Sequence, residues 1–238
     1  MGSAAMRTSS RLSDHPLDNP AWNALIGPQA DLAERHGRAV RFRPDICPFA
    51  ALPSDVDDRG WADLAALGGG AGSTVVTAGP ERTPPAGWTA VMSLTGVQFD
   101  GTGLDVAPDP DALVLGPDDV PEMLDLVERT RPGPFHRATI AMGTYLGFRD
   151  ASGALVAMAG ERMRPAGWTE ISAVCTDPAH RGRGLATRLV RAVGAVIRER
   201  GDVPFLHTTH DNATAINVYE AMGFVRRRPM HFAAYRIP

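Results

Sequence analysis

The residues best suited to chemistry lie in the segment Glu170 to Ala186, EISAVCTDPAHRGRGLA, where a β-rich run gives way to a glycine and arginine turn that opens a long helix. Gly182, Gly184 and Ala186 are small, so successive backbone N–H groups can approach an anion without side chains in the way. The positive end of the following helix points at the same place. Arg181 and Arg183 add fixed charge and forked donors beside it, and Leu185 and Thr187 belong to the same first turn. The chemistry predicted is the holding of a pyrophosphate.

Three anion-binding patterns compete for this turn. A Walker loop needs a lysine, and the chain has none: all 24 of its Lys+Arg positions are arginine. A dinucleotide fingerprint, G-x-G-x-x-G, is matched at Gly182 and Gly184 but has Thr187 in third place. The pattern R-x-x-G-x-A, carried by Arg181, Gly184 and Ala186, fits. Downstream, Asn212, Ala215, Tyr219, Gly223 and Phe224 spell N-x-x-A-x-x-x-Y-x-x-x-G-F. Asn212 sits where a helix N-cap would, able to bond a helix N–H or a ligand. Ala215 and Tyr219 share a helix face, and Gly223 suits a helix C-cap. In this order and spacing the two motifs resemble the coenzyme A loop and the last helix of the GNAT superfamily of N-acetyltransferases, over roughly the C-terminal half from Ala112 onward.

That resemblance implies acetyl-CoA as co-substrate, no metal, and direct attack of a primary amine on the thioester. It implies that the strand before the anion turn splays from its neighbour, leaving backbone groups at Val174 and Thr176 to bind pantetheine and polarise the carbonyl. By strand alternation these two side chains are expected on the same face as Ser172 and Glu170, with Cys175 turned the other way into packing. Glu170 is the candidate general base, directly or through a water, or else an exposed strand-end carboxylate bonding a neighbour. The Tyr219 hydroxyl is the candidate proton donor to the leaving thiolate, or else a core tyrosine. Asn212 joins the cofactor-binding set. Arg162 is expected either to bind an acceptor carboxylate or to pair across its hairpin near Glu170. Phe135, His136, Tyr145 and Trp168 are expected to border the acceptor cleft. His207, His210 and Asp211 make H-x-x-H-D, whose strand spacing puts the imidazoles on opposite faces and argues against a metal site. An acetyl-CoA-binding module without catalysis is the alternative to an enzyme.

The elements that must position these groups alternate along the C-terminal half. A short strand over Ala112–Gly116 precedes a helix opened by Asp118 and Asp119, where acidic residues suit the dipole. The segment 131–138 has two prolines and reads as a loop. TYLGFRD and ALVAMAGERMR flank a DASG turn as a hairpin. The strand Glu170–Thr176 follows, then a helix over Leu185–Arg200 with Leu185, Leu189, Ala192, Val193 and Val196 at helical spacing. With the resemblance, this predicts an α/β (α+β) fold: a mixed, mostly antiparallel sheet flanked by helices.

The N-terminal half is expected to form a domain of its own over residues 16–111, after a flexible arm over 1–15, with the catalytic domain over 112–238. LDNPAWNALIGPQADLAERHG reads as a helix, STVVTA and GWTAVMSLTGV as strands, and the Gly-, Pro- and Asp-rich FDGTGLDVAPDPDA as the linker. A chain in two such parts is similar to the GNAT branch related to glycine N-acyltransferases, which implies that the first half is a degenerate copy of the fold. An unrelated capping domain is the other reading.

Composition narrows the function classes. A net charge of −3 on 238 residues argues against a general nucleic-acid partner, and the run Arg226–Arg228 reads as a solvated strand end. No apolar run spans a bilayer, the N-terminus has no signal-peptide core, and Met6 breaks the myristoylation pattern. Two cysteines are too few to staple this domain, so a reducing, cytoplasmic location is expected. The expected acceptor is a small-molecule or peptide amine.

Overall fold

The structure, a computed structural model, describes residues 15–238. The arm expected over residues 1–15 lies outside the described residues except for His15, whose imidazole accepts from the Leu17 N–H at 3.1 Å. The first half of the chain contributes α1 (Pro20–Leu25), β1 (Ala33–His36), β2 (Ala39–Phe42), β3 (Phe49–Ala51), α2 (Asp58–Leu67), β4 (Thr74–Gly79) and β5 (Thr89–Asp100). The second contributes β6 (Leu113–Val114), α3 (Val120–Thr130), β7 (Tyr145–Arg149), β8 (Leu155–Glu161), β9 (Trp168–Thr176), α4 (Leu185–Glu199), β10 (Val203–Thr209), α5 (Ala213–Ala221) and β11 (Val225–Arg236).

The strands form one 11-stranded sheet in the order β1-β2-β3-β4-β11-β5-β10-β9-β8-β7-β6. Neighbours run antiparallel except β3 with β4 and β9 with β10. This is the expected mixed, mostly antiparallel sheet flanked by helices. The two halves exchange strands at its centre: β5 lies between β10 and β11, and β11 lies between β4 and β5.

The helix expected over LDNPAWNALIGPQADLAERHG is confined to Pro20–Leu25. Gly27 and Pro28 end it, because proline removes a backbone donor and clashes with the preceding turn. Ala33–His36 then pairs with Ala39–Phe42 as a hairpin, with Gly37 at φ 51 in the turn. Helix α2 has a sequence signal of its own, since the Asp57 carboxylate caps the Gly60 N–H at 2.9 Å and the face of Trp61 and Leu64 is buried.

Helix α4 carries the anion turn and is held by its apolar face. Leu189, Val190, Val193 and Ile197 are almost fully buried against Phe148, Val156 and Ile171 of the sheet, at about 1.5–3 kcal/mol for each large side chain. An Asp at Val193 would place an unpaired charge in this layer and release the helix. The linker lies across the outer side, with Leu104 and Val106 over the notch left by Gly194. Arg188 grips Asp109 with two bonds of 2.6 and 2.8 Å and Asp111 with one of 2.7 Å.

Candidate active site

Strands β9 and β10 pair in parallel only as far as Ile171 and Leu206. Beyond that point β10 stays bound to β5, His207 opposite Gln98 and Thr209 opposite Gly96, while β9 leaves the pairing. The strand edge over Ser172–Thr176 is thereby opened toward a cleft of about 930 Å³. The cleft reaches from the glycine and arginine turn, past Val174, Thr176, Asn212 and Tyr219, to Phe49, Met92, Leu94 and Phe232.

At one end stands the anion turn. Gly182 and Gly184 have φ of 75 and 74, with only open space within 4 Å of where a Cβ would stand, a left-handed conformation that glycine adopts without strain. Helix α4 begins at Leu185 with no side-chain cap on its first turn, so the N–H groups of Leu185, Ala186 and Thr187 face outward without intrahelical partners. Arg181 donates to the Thr176 carbonyl at 3.2 Å, tying turn to strand. Arg183 is exposed. Two polar atoms of the cleft wall, Thr176 Oγ1 and His180 Nδ1, are buried with no hydrogen-bond partner among the described residues. Bare N–H groups, open glycines and unpartnered polar atoms fit a phosphate-bearing thioester.

The second motif closes the opposite wall. Asn212 Oδ1 caps α5 by accepting from the Ala215 N–H at 3.1 Å. Tyr219 packs edge-on to Phe99 and Phe224, with ring centroids at 6.0 and 5.8 Å, and lines the cleft. Burial alone pushes its hydroxyl up to about 12, with no charge or hydrogen bond among the described residues offsetting it. The group is protonated throughout the physiological range and free to donate.

Glu170 departs from its expected setting. A bulge in β9 places Ala173 and Val174 opposite the single residue Ala159, since Met158 pairs with Cys175 but Gly160 with Ser172, and Ala173 takes φ 53. The extra residue reverses the alternation. Ile171 and Val174 both pack toward α4, whereas Ala173 and Cys175 pack toward α3. Glu170, next to Ile171, therefore faces away from Val174 and Thr176 and not with them. It is fully buried and does not line the cleft. Burial works against its ionisation, but the Arg162 guanidinium and the His207 hydrogen bond outweigh it and hold the carboxyl at about 2.

Around Glu170 runs a buried polar chain. Arg162 donates to both carboxylate oxygens, the cross-hairpin pairing that was one of its two expected roles. His207 Nδ1 lies 2.7 Å from Glu170 Oε1, and the Gln98 amide nitrogen lies 3.1 Å from His207 Nε2. Because Gln98 receives Arg227 on its oxygen at 2.9 Å, its nitrogen donates, which leaves His207 protonated on Nδ1 and accepting on Nε2. Arg227 and Arg228, expected to be solvated, both pair with Asp18. Cys175 sits in the α3 core, its thiol pushed up by burial to about 11.

The residues expected to border the acceptor cleft do not. Tyr145 and Phe135 stack in the α3 core at 5.5 Å, the Tyr145 hydroxyl donating to the Glu161 carbonyl at 2.8 Å. Trp168 packs beside His15, and the His136 imidazole lies on the Pro44 carbonyl at 2.8 Å. That part of the cleft is lined instead by Met92 and Leu94 of β5 and Phe232 of β11, which the strand exchange brings in, together with Phe49 of β3. In the sequence, the signal for this contribution is Gln98, a polar residue on the β5 face that carries Met92, Leu94 and Gly96.

This splayed sheet, with an uncapped glycine and arginine turn at the head of its central helix, defines an acetyltransferase, and the chain belongs to the GNAT family. A GNAT-family structure from Novosphingobium aromaticivorans is 42% identical, with a TM-score of 0.86 over 94% of this chain and all of that one. The model of the FR47-like protein family matches residues 145–233. N-alpha-acetyltransferase 30 of Saccharomyces cerevisiae is 38% identical over 61 residues, a match spanning 25% of this chain and 35% of that protein. A GCN5-related N-acetyltransferase from Kribbella flavida, 18% identical with a TM-score of 0.59 over 90% of this chain and 95% of its own, shares the fold.

Proposed function

We propose that the protein transfers the acetyl group of acetyl-CoA to a primary amine by direct attack within one ternary complex. The observation that carries this reading is the cleft whose lining joins the anion turn, the freed edge of β9 and Tyr219. The N–H groups of Gly182 to Thr187, with Arg181 and Arg183, would hold the pyrophosphate. Backbone groups at Val174 and Thr176 would take the pantetheine amides, and Asn212 lies beside them. The neutral amine attacks the thioester carbonyl, forming the C–N bond. The C–S bond then breaks as the Tyr219 hydroxyl donates a hydrogen bond to the departing thiolate, and the proton released by nitrogen ends on sulfur. Glu170, buried and held as a carboxylate, is a poor direct base. In this reading it positions His207 on the wall where the amine enters. A free donor at Tyr219 favours the enzyme over a module that only binds acetyl-CoA.

The strand order supports a degenerate GNAT copy in the first half, because each half has antiparallel strands, then a parallel pair, then a strand given to the other half. At the turn corresponding to the anion site that half carries Asp55, Asp57 and Asp58, whose charge repels phosphate. One anion site per chain follows. Acetyl-CoA-dependent thiol release against a panel of amines tests the proposal, with amine-independent silence in the presence of tight acetyl-CoA binding as the result that overturns it.

A further inference from the structure

The amine's own chemistry can be read from the acceptor end of the cleft. Past the point where β9 and β10 part, His207, Thr208 and Thr209 line one side, and the side facing them is apolar: the Phe232 ring lies 5.5 Å from Phe49 and 5.7 Å from His207, and Met92 and Leu94 continue it along β5. The charged residues on the cleft lining are Arg131, Arg162 and Arg181, and among the described residues no aspartate or glutamate lines it. The acid beneath, Glu170, is fully committed to Arg162 and His207. Arg162 itself stands over the Phe49 ring at 5.1 Å.

An acceptor with further ammonium groups needs carboxylates to replace the water it sheds, since an unpaired cation is costly to desolvate. This wall offers none, because Glu170 is already taken up by Arg162 and His207. A hydrocarbon or aromatic body, by contrast, finds four apolar side chains to cover it.

Resting on the acetyl-transfer reading above, we infer that the acceptor is a small primary amine on an apolar body, an aralkyl or branched alkyl amine, with no second positive charge. Its nitrogen forms the C–N bond, the thioester C–S bond breaks, and the nitrogen's proton ends on the thiolate. Polyamines, aminoglycosides and lysine-rich peptides are excluded by the same wall.

The test is thiol release by the full chain with acetyl-CoA and phenethylamine, isoamylamine, spermidine, cadaverine and a short peptide with a free N-terminus. The expected result is a kcat/KM for the two apolar amines at least about 10-fold above the others, the scale on which an apolar pocket discriminates. Preference for spermidine, cadaverine or the peptide overturns the acceptor class while leaving acetyl transfer standing. No release with any amine, with acetyl-CoA binding intact by calorimetry, overturns both. Met92→Glu, at a position 41% exposed and so tolerant of charge, should lower phenethylamine turnover about 10-fold and raise that of cadaverine. An unchanged profile means that this wall does not touch the acceptor, and the inference falls.

Discussion

Arg162 and Glu170 are joined by two hydrogen bonds, 2.8 Å from Nε and 2.6 Å from Nη2, in a pair whose carboxylate is wholly shielded from solvent. Removing one charge strands the other, and Glu170→Gln is expected to cost about 3–5 kcal/mol. Urea denaturation of the two proteins at neutral pH measures it, and a cost below about 1 kcal/mol would contradict the burial argument.

The same pair sets an acid limit. The Glu170 carboxyl is lowered from an ordinary 4.5 to about 2 in the folded protein, so the unfolded chain binds the proton more readily. The resulting stabilisation is complete above the unfolded value and drains away as the pH falls from about 4.5 toward about 2. The wild type should lose stability steeply across that interval, and Glu170→Gln should show a shallower slope.

In the proposed reaction the Tyr219 hydroxyl donates to the leaving thiolate, and Tyr219→Phe removes that donor. Turnover should fall on the order of 10²-fold, while the affinity for acetyl-CoA changes less than about 3-fold, since the ring remains packed. Steady-state kinetics beside calorimetry separates the two. Equal losses in both would assign the hydroxyl to binding instead.

Gly184→Ala probes the anion turn through its backbone alone, because a Cβ there meets open space while φ stays at 74. The left-handed conformation costs an alanine about 1–2 kcal/mol. We expect the turn to relax out of register, with acetyl-CoA binding weakened about 10-fold and the far-ultraviolet circular dichroism unchanged. Undiminished binding would remove this turn from the acetyl-CoA site.

The second half of the chain was largely legible in its sequence because its cues are local. Gly184 and Ala186 announce a turn before an amphipathic helix, and Asn212 and Gly223 bracket α5 by capping chemistry that needs only neighbours. What escaped depends on contacts far apart in the chain. The bulge at Ala173 turns Glu170 away from Val174, yet neither residue's type marks an inserted position. Met92 and Phe232 reach the cleft only because β5 and β11 lie among the strands of the other half, and no local pattern encodes which strand a strand will meet.

Expressing residues 112–238 alone should therefore leave β10 and β11 without the strand that separates them. The fragment should be insoluble or poorly folded, and co-expression with residues 1–111 should restore thiol release. A well-folded isolated fragment, by amide exchange protection, would show the two halves to be independent after all.

The exchange also orders events during synthesis. β5 emerges from the ribosome long before β10 and β11, and the slot between β4 and β5 stays empty until Val225–Arg236 arrives to fill it. The first half must wait with one edge of β4 and both edges of β5 unpaired, a state open to wrong partners. Closure by such distant contacts is slow, so the part of the cleft wall that Phe232 supplies takes shape only once β11 has paired with both β4 and β5.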